Sequence, residues 1–192
     1  IIALFLTMIA CLILGMGVPT TANYVIMATI TAPIILKLIP ETPVLAAHFF
    51  VFYFGVVADI TPPVALAAYA GSAISGGNPL RTGVIATKLA IAAFLVPYMI
   101  VLNPAMLLIN ATFGQIVQFT ITALVGMFAI AGGMEGYMKT TLPTWQRILA
   151  VGGGLLLIHP DLLTDLVGFV LICIVVLWHY GFKGFKGKSQ VA

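Results

Sequence analysis

The chain has 192 residues, of which 62% are hydrophobic and only 7% are charged, with a net charge of +3 and a mean hydropathy of +1.20. Soluble domains carry roughly 25% charged residues, so this composition excludes a water-soluble globular domain and makes lipid the solvent for most of the chain. We predict an all-α integral membrane protein. At about 20 apolar residues for each crossing, the length holds roughly six to eight membrane segments.

The two ends of the chain indicate its context. The chain begins at Ile1 inside an apolar run, without a charged region ahead of it, which is not the pattern of a signal peptide. We expect it to be part of a longer polypeptide, the alternative being a small complete protein. Lys183, Lys186 and Lys188 follow the last apolar run and predict a cytoplasmic C-terminus beside anionic lipid.

The first two apolar segments, residues 1–16 and 22–38, are joined by a short uncharged link. The link is rich in residues that interrupt helices and carries hydroxyl groups: Gly15, Gly17, Pro19, Thr20 and Thr21. Each flanking segment is marginal in length for a full crossing. We therefore predict a helical hairpin over residues 1–38, which enters and leaves the membrane on one side.

The next two apolar segments, residues 43–58 and 64–75, are separated by Asp59, Thr61, Pro62 and Pro63. Proline removes a backbone donor, and the residue before it is pushed out of the helical region, so the link should be unwound. Unwound backbone at membrane depth is tolerated where it is buried in protein or lines a polar cavity. We predict one broken transmembrane helix over residues 43–75, of the kind that builds sites in transporters.

A single helix is predicted over residues 83–101, and a further group of apolar segments follows from residue 111 to the C-terminus. Residues 148–158 are too short for an untilted crossing, so residues 148–180 form either two segments or one re-entrant unit. Most Lys and Arg residues at the ends of these segments are predicted to lie on the cytoplasmic side.

The hairpin link contains groups that could bind an anion and groups that could bind a cation. A break in a helix frees carbonyls at one end and amides at the other, and Thr hydroxyls with the Asn23 amide add oxygen ligands. Oxygen ligands suit a small hard cation such as Na⁺, and amides at a helix N-terminus favour a carboxylate. The alternative is a kinked helix in which Thr bonds to its own backbone.

The second link contains an ionisable group. An intramembrane carboxylate is expensive and is a functional hypothesis by default, so Asp59 is predicted to bind a cation or accept a proton. The alternative is that Asp59 caps the half-helix that follows. The predicted substrate- or ion-binding residues are Gly15, Gly17, Pro19, Thr20, Thr21, Asn23, Asp59, Thr61, Pro62 and Pro63, with Na⁺ placed at Gly17, Thr20, Asp59 and Thr61.

Other classes of function have little support in the sequence. It contains no nucleotide-binding loop, no zinc-ligand spacing and no nucleophile elbow, and Asp59 has no partner acid on a neighbouring segment. We expect no enzymatic activity, no nucleic-acid partner and no cofactor other than Na⁺ as a coupling ion. A non-transporting scaffold with merely kinked helices, and a channel, remain as alternatives.

The two links and their flanks resemble a known family. The run from Gly15 to Tyr24 and the run from Asp59 to Ala70 are similar to the C-terminal half of the large membrane subunit, the DctM-like subunit, of tripartite ATP-independent periplasmic (TRAP) transporters. The family often has glycine where Ala65 stands and glutamate where Val18 stands. Tyr24, Tyr69 and the C-terminal segments look like the branch in which the small and large membrane subunits are fused.

This resemblance implies a Na⁺-coupled elevator transporter with inverted halves, in the inner membrane of a bacterium or archaeon. It would import organic acids such as C4-dicarboxylates, delivered by a periplasmic solute-binding protein of the TAXI type. Residues 1–110 would be the second half of the transport core, and residues 111–192 a C-terminal transmembrane extension of the fused permease. The remaining N-terminal part of the polypeptide would supply the first half.

Overall fold

The computed structural model describes residues 1–109, 111–159 and 161–182. Over these residues the chain forms nine α-helices and no β-strand. They are α1 (Ile2–Gly15), α2 (Thr20–Leu38), α3 (Val44–Val57), α4 (Leu66–Ser75), α5 (Pro79–Leu89), α6 (Ile91–Leu102), α7 (Phe113–Glu135), α8 (Thr144–Ile158) and α9 (Leu162–Leu177). The predicted all-α membrane fold is confirmed. The lysines of the tail, Lys183, Lys186 and Lys188, lie outside the described residues.

Fewer of the described helices are long enough to cross a bilayer than the composition predicted. Three are long and apolar enough, namely Thr20–Leu38, Phe113–Glu135 and Leu162–Tyr180, and the bent pair α5–α6 makes a fourth if it is one span. The other apolar helices have 10–17 residues. The predicted six to eight membrane segments exceed these three or four spans, because each of the remaining apolar helices is too short to count as a full crossing.

The chain divides into two compact units, Ile1–Asn110 and Ala111–Ala192. In the first unit α3 is central, because α1, α2 and α6 all pack against it. Phe50 and Phe54 are fully buried on α3, and both rings meet the Tyr98 ring edge to face, with centroids 5.2 and 5.9 Å apart. Such edge-to-face pairs add about 0.5–1.5 kcal/mol each and hold α6 against α3.

The predicted single helix over residues 83–101 is wrong, since α5 and α6 meet at Ala90 with a bend of 41°. The two helices pack against different partners. α5 lies against α4, whereas α6 places Phe94 and Tyr98 against the aromatic face of α3. A straight helix could not bury both faces at once, so the packing overrides the continuous apolar pattern that predicted one helix.

In the second unit α8 packs against both α7 and α9 through glycine. A Cβ at Gly154 would lie 2.6 Å from the Gly126 carbonyl oxygen of α7, and a Cβ at Gly153 would lie 3.1 Å from the Gly168 carbonyl oxygen of α9. Gly153 therefore packs against α9, and the next residue, Gly154, packs against α7. Small residues let transmembrane helices approach closely, so the backbones of neighbouring helices contact each other directly and gain dispersion energy.

Candidate functional site

The first link forms a tight turn between α1 and α2. α1 ends at Gly15, residues 16–19 are not helical, and Gly17 has a φ of +75°, which favours glycine. Pro19 occupies the N-cap position of α2 and provides no side-chain hydrogen bond, and Thr20 and Thr21 are exposed in the first helical turn. The first amides of α2 therefore have no side-chain acceptor among the described residues and carry the positive end of the helix dipole.

The second link leaves a comparable helix start. α3 continues into a 3-10 turn at Ala58–Ile60, residues 61–65 are not helical, and the Pro62–Pro63 peptide is cis. α4 then begins at Leu66 with Ala65 as its N-cap residue and without a side-chain cap. Two uncapped helix N-termini thus belong to the two links in which the sequence predicted unwinding.

Asp59 lies in the 3-10 turn and is half-buried. α4 begins seven positions later, at Leu66, with Ala65 in the capping position, so the alternative that Asp59 caps this half-helix is wrong. No described residue donates a hydrogen bond to its carboxylate or forms an ion pair with it. A half-buried carboxylate of this kind has its acceptor capacity available for a cation.

The tip of the hairpin packs directly against the end of α3. A Cβ at Gly15 would lie 2.8 Å from Ala58 Cβ and 2.8 Å from Asn23 Nδ2, and a Cβ at Gly17 would lie 3.8 Å from Val64 Cγ1. Asn23 Nδ2 donates to the Gly55 carbonyl oxygen at 3.0 Å. The structure therefore brings Gly15 and Asn23 to the end of α3 and Gly17 to Val64 beside the second link, whereas no described hydrogen bond joins Thr20 or Thr21 to either.

Asn23 has an acceptor that no described residue satisfies. The residue is 1% exposed, and its Oδ1 atom is buried without a hydrogen-bond partner among the described residues. A buried polar atom without a partner costs roughly 1–3 kcal/mol. This oxygen lies beside the junction of hairpin and break, where it is available to a cation or a donor group.

Several carbonyl oxygens in the second link and just before it are already engaged. Thr61 donates from Oγ1 to the Val57 oxygen at 2.8 Å and from its amide to the Ala58 oxygen at 3.2 Å, while the Ala65 amide donates to the Thr61 oxygen. The Thr61 hydroxyl thus bonds to a backbone oxygen four residues earlier, at the end of α3. Its oxygen lone pairs still accept a cation.

Two side chains that the sequence did not single out for the site complete this pattern. Thr87 Oγ1 of α5 is 3.0 Å from the Ile60 carbonyl oxygen, and Tyr69 OH of α4 donates to the Pro63 carbonyl oxygen at 2.7 Å. Tyr69 was noted only as part of a family resemblance. Thr87 carries no sequence signal, because nothing in its local pattern indicates that α5 folds back onto a link 27 residues earlier.

The oxygens at these links can bind a cation, and the two helix N-termini can bind an anion. The oxygens are the Asp59 carboxylate, Asn23 Oδ1, the hydroxyls of Thr20 and Thr61, and the remaining link carbonyls. Oxygen-only sets suit hard cations, and the described residues hold no cluster of three or more His, Cys, Asp or Glu side chains that would suit a transition metal. Helix N-termini with free amides attract carboxylates.

Ala65 adopts a backbone conformation that favours glycine. It is fully buried with a φ of +35°, in the left-handed region. A single non-glycine residue there costs about 1–2 kcal/mol. We expect Ala65→Gly to raise the apparent unfolding midpoint of the detergent-purified permease by roughly 2 °C, because it relieves this strain. A lower midpoint would mean that the Ala65 methyl group, which a Cβ at Gly83 would approach to 3.3 Å, contributes more by packing.

Residues 1–116 match the family model described as "Tripartite ATP-independent periplasmic transporter, DctM component". No curated protein and no solved structure matches the chain. The matched region contains both links and all the site residues named above, and α8 and α9 lie outside it.

Proposed function

Because the chain belongs to the family of DctM components of tripartite ATP-independent periplasmic transporters, we propose that its two links form one wall of a site that binds an organic acid together with Na⁺. The chain is a membrane permease component and not an enzyme. The family works with a periplasmic solute-binding protein. What the chain contributes to transport is therefore the binding and release of solute within the membrane.

The observation that carries the proposal is the pairing of two uncapped helix N-termini with a carboxylate that no described residue neutralises. The amides at the starts of α2 and α4 present partial positive charge, which favours a substrate carboxylate. Asp59 presents negative charge, which favours a cation. A cation held by Asp59 and the link oxygens would add positive charge beside the anion, so each ligand would raise the affinity for the other.

Further details of the transporter extend this proposal. A site with two positive helix ends accommodates two carboxylates, which supports a C4-dicarboxylate-like substrate. Na⁺ suits the oxygen set at Gly17, Thr20, Asp59 and Thr61. We propose that the chain is the C-terminal part of a fused permease, served by a TAXI-type binding protein. Its C-terminus would lie on the cytoplasmic side of the inner membrane, in keeping with the basic tail.

Asp59→Asn tests the role of the carboxylate with little change of shape. We expect Na⁺-driven uptake of labelled succinate into proteoliposomes to fall about tenfold or more, because a charge-assisted contact contributes roughly 1.5–3 kcal/mol. The complete permease is reconstituted with its binding protein, and initial rates are measured at several Na⁺ concentrations. The uptake rate of Asp59→Asn relative to the original protein should be lowest at low Na⁺, because a high Na⁺ concentration partly restores the occupancy of a weakened ion site.

Glu41→Gln is the matched control, because Glu41 is an exposed acid in the connection between α2 and α3. It should leave the rate within about twofold of the original. If Asp59→Asn behaves like this control, Asp59 is not part of the ion site. If both variants and the original protein assemble but none shows ion-dependent uptake, the non-transporting scaffold is favoured.

A further inference from the structure

α5 supplies a support for the unwound second link that lies outside both motifs. A Cβ at Gly83 would lie 3.2 Å from Pro62 Cγ and 3.3 Å from Ala65 Cβ, so the backbone of α5 sits directly on the link. One turn further, Thr87 is half-buried and reaches the Ile60 carbonyl oxygen. α5 therefore touches the link both before and after its proline pair.

The hydrogen bond of Thr87 differs from those of other helical threonines in this unit. Thr82 on the same helix donates only to the Asn78 carbonyl oxygen four residues earlier, which is the usual internal bond of a helical threonine. Thr87 has this internal acceptor too, the Gly83 oxygen at 2.9 Å, but its hydroxyl also lies 3.0 Å from the Ile60 oxygen. Its single proton is shared between two acceptors on different elements.

The Ile60 carbonyl oxygen receives its hydrogen bond from the Thr87 hydroxyl. Ile60 is the last residue of the 3-10 turn, and no backbone amide of the described residues donates to its oxygen. In a membrane, a carbonyl without a donor is unfavourable by several kcal/mol, so Thr87 fixes the direction in which this peptide group points. Ile60 lies between Asp59 and Thr61, and its orientation therefore sets where their oxygens face.

We propose that Thr87 is a positioning residue of the ion site: its hydroxyl holds the Ile60 peptide group so that the neighbouring oxygens of Asp59 and Thr61 converge on the cation. This inference rests on the proposed function, because it assigns a cation to the second link. Thr87 does not bind the ion itself. Its loss lowers the affinity for Na⁺ while leaving the maximal rate of transport largely intact.

The test compares Thr87→Val, which keeps the shape but removes the hydroxyl, with Thr87→Ser, which keeps the hydroxyl. Thr82→Val is the control, because it removes a threonine hydroxyl from the same helix that contacts only its own turn. Initial rates of succinate uptake into proteoliposomes are measured as a function of Na⁺ concentration and, at saturating Na⁺, of succinate concentration. If the valine variant does not fold, Thr87→Ala takes its place.

We expect Thr87→Val to raise the Na⁺ concentration for half-maximal uptake about threefold to tenfold, with a maximal rate within about twofold of the original. Thr87→Ser and Thr82→Val should match the original protein. A Thr87→Val variant with unchanged Na⁺ dependence, or with a lower maximal rate only, overturns the proposal.

The Na⁺ dependence of uptake by the original protein distinguishes a failure of the proposed function from a failure of the role assigned to Thr87. If its uptake does not depend on Na⁺ at all, Na⁺ coupling fails as a property of the transporter. The half-saturating concentration of succinate then decides the role of Thr87. A rise in Thr87→Val that Thr87→Ser does not show supports a positioning role at the link, and an unchanged value excludes it.

Discussion

Replacing Gly15 by valine is expected to lower uptake about a hundredfold. Even the first atom of the new side chain would lie 2.8 Å from Ala58 Cβ and from Asn23 Nδ2, closer than carbon atoms pack. The hairpin tip would have to move away from α3, and the Asn23–Gly55 hydrogen bond would stretch. A displacement of about 1 Å at a site can reduce the rate a hundredfold. Initial uptake rates in proteoliposomes give the measurement.

Gly71→Val is the matched control for this prediction. Gly71 is also a helical glycine of the first unit, and a Cβ there would meet no atom within 4 Å. Transport by this variant should stay within a few fold of the original. If Gly15→Val transports as well as Gly71→Val, with equal amounts of folded protein in the membrane, the close approach of the hairpin tip to α3 is not required for function.

Gly154→Ala is expected to have the largest effect on stability among the alanine substitutions considered. The added Cβ would lie 2.6 Å from the Gly126 carbonyl oxygen and 2.6 Å from Ile130 Cγ1, so α7 and α8 would be forced apart. Overpacking of this kind destabilises by about 1–3 kcal/mol. We expect the apparent unfolding midpoint of the purified permease in detergent to fall by several degrees.

Gly152→Ala provides the control two residues away on the same helix. A Cβ at Gly152 would meet no atom within 4 Å, and alanine is a better helix former than glycine by up to about 1 kcal/mol. The midpoint should be unchanged or slightly higher. Equal destabilisation by both substitutions would mean that glycine matters for the backbone of α8 and not for its contact with α7.

The class of fold could be predicted because it depends on composition and on local rules. A chain with 7% charge must place most of its surface in lipid, and lipid requires helices. The ends of helices follow from local chemistry as well. α1 ends at Gly15, and the residues around Pro62 and Pro63 are not helical, because glycine and proline act on their immediate neighbours.

Features set by distant contacts could not be predicted. The bend at Ala90 satisfies two packing partners at once and has no proline at the bend itself. The burial of Asn23 and the contact of Thr87 with Ile60 both depend on how separate segments pack in space. Asp165 shows the same limit. It lies in the first turn of α9, where an acidic residue commonly faces water, but it is buried and accepts a hydrogen bond from Gln118 Nε2 at 3.1 Å.

The candidate site was predicted only as a set of residues, and its internal geometry comes from packing. Gly15 and Asn23 contact the end of α3 and Gly17 lies beside Val64, which no local pattern in the sequence indicates. A binding role stays a prediction for each of the proposed site residues, namely Gly15, Gly17, Pro19, Thr20, Thr21, Asn23, Asp59, Thr61, Pro62 and Pro63. The left-handed conformation of Ala65 is one that favours glycine, the residue that the family resemblance implies at this position.

The most direct measurement of the central claim is uptake of labelled succinate and of other organic acids by proteoliposomes that contain the complete permease. Four conditions are compared, with and without an inward Na⁺ gradient and with and without the solute-binding protein. We predict accumulation of at least one acid only when both are present. Accumulation that persists without the Na⁺ gradient, or a folded permease that transports none of the acids, would contradict the Na⁺-coupled import proposed for this chain.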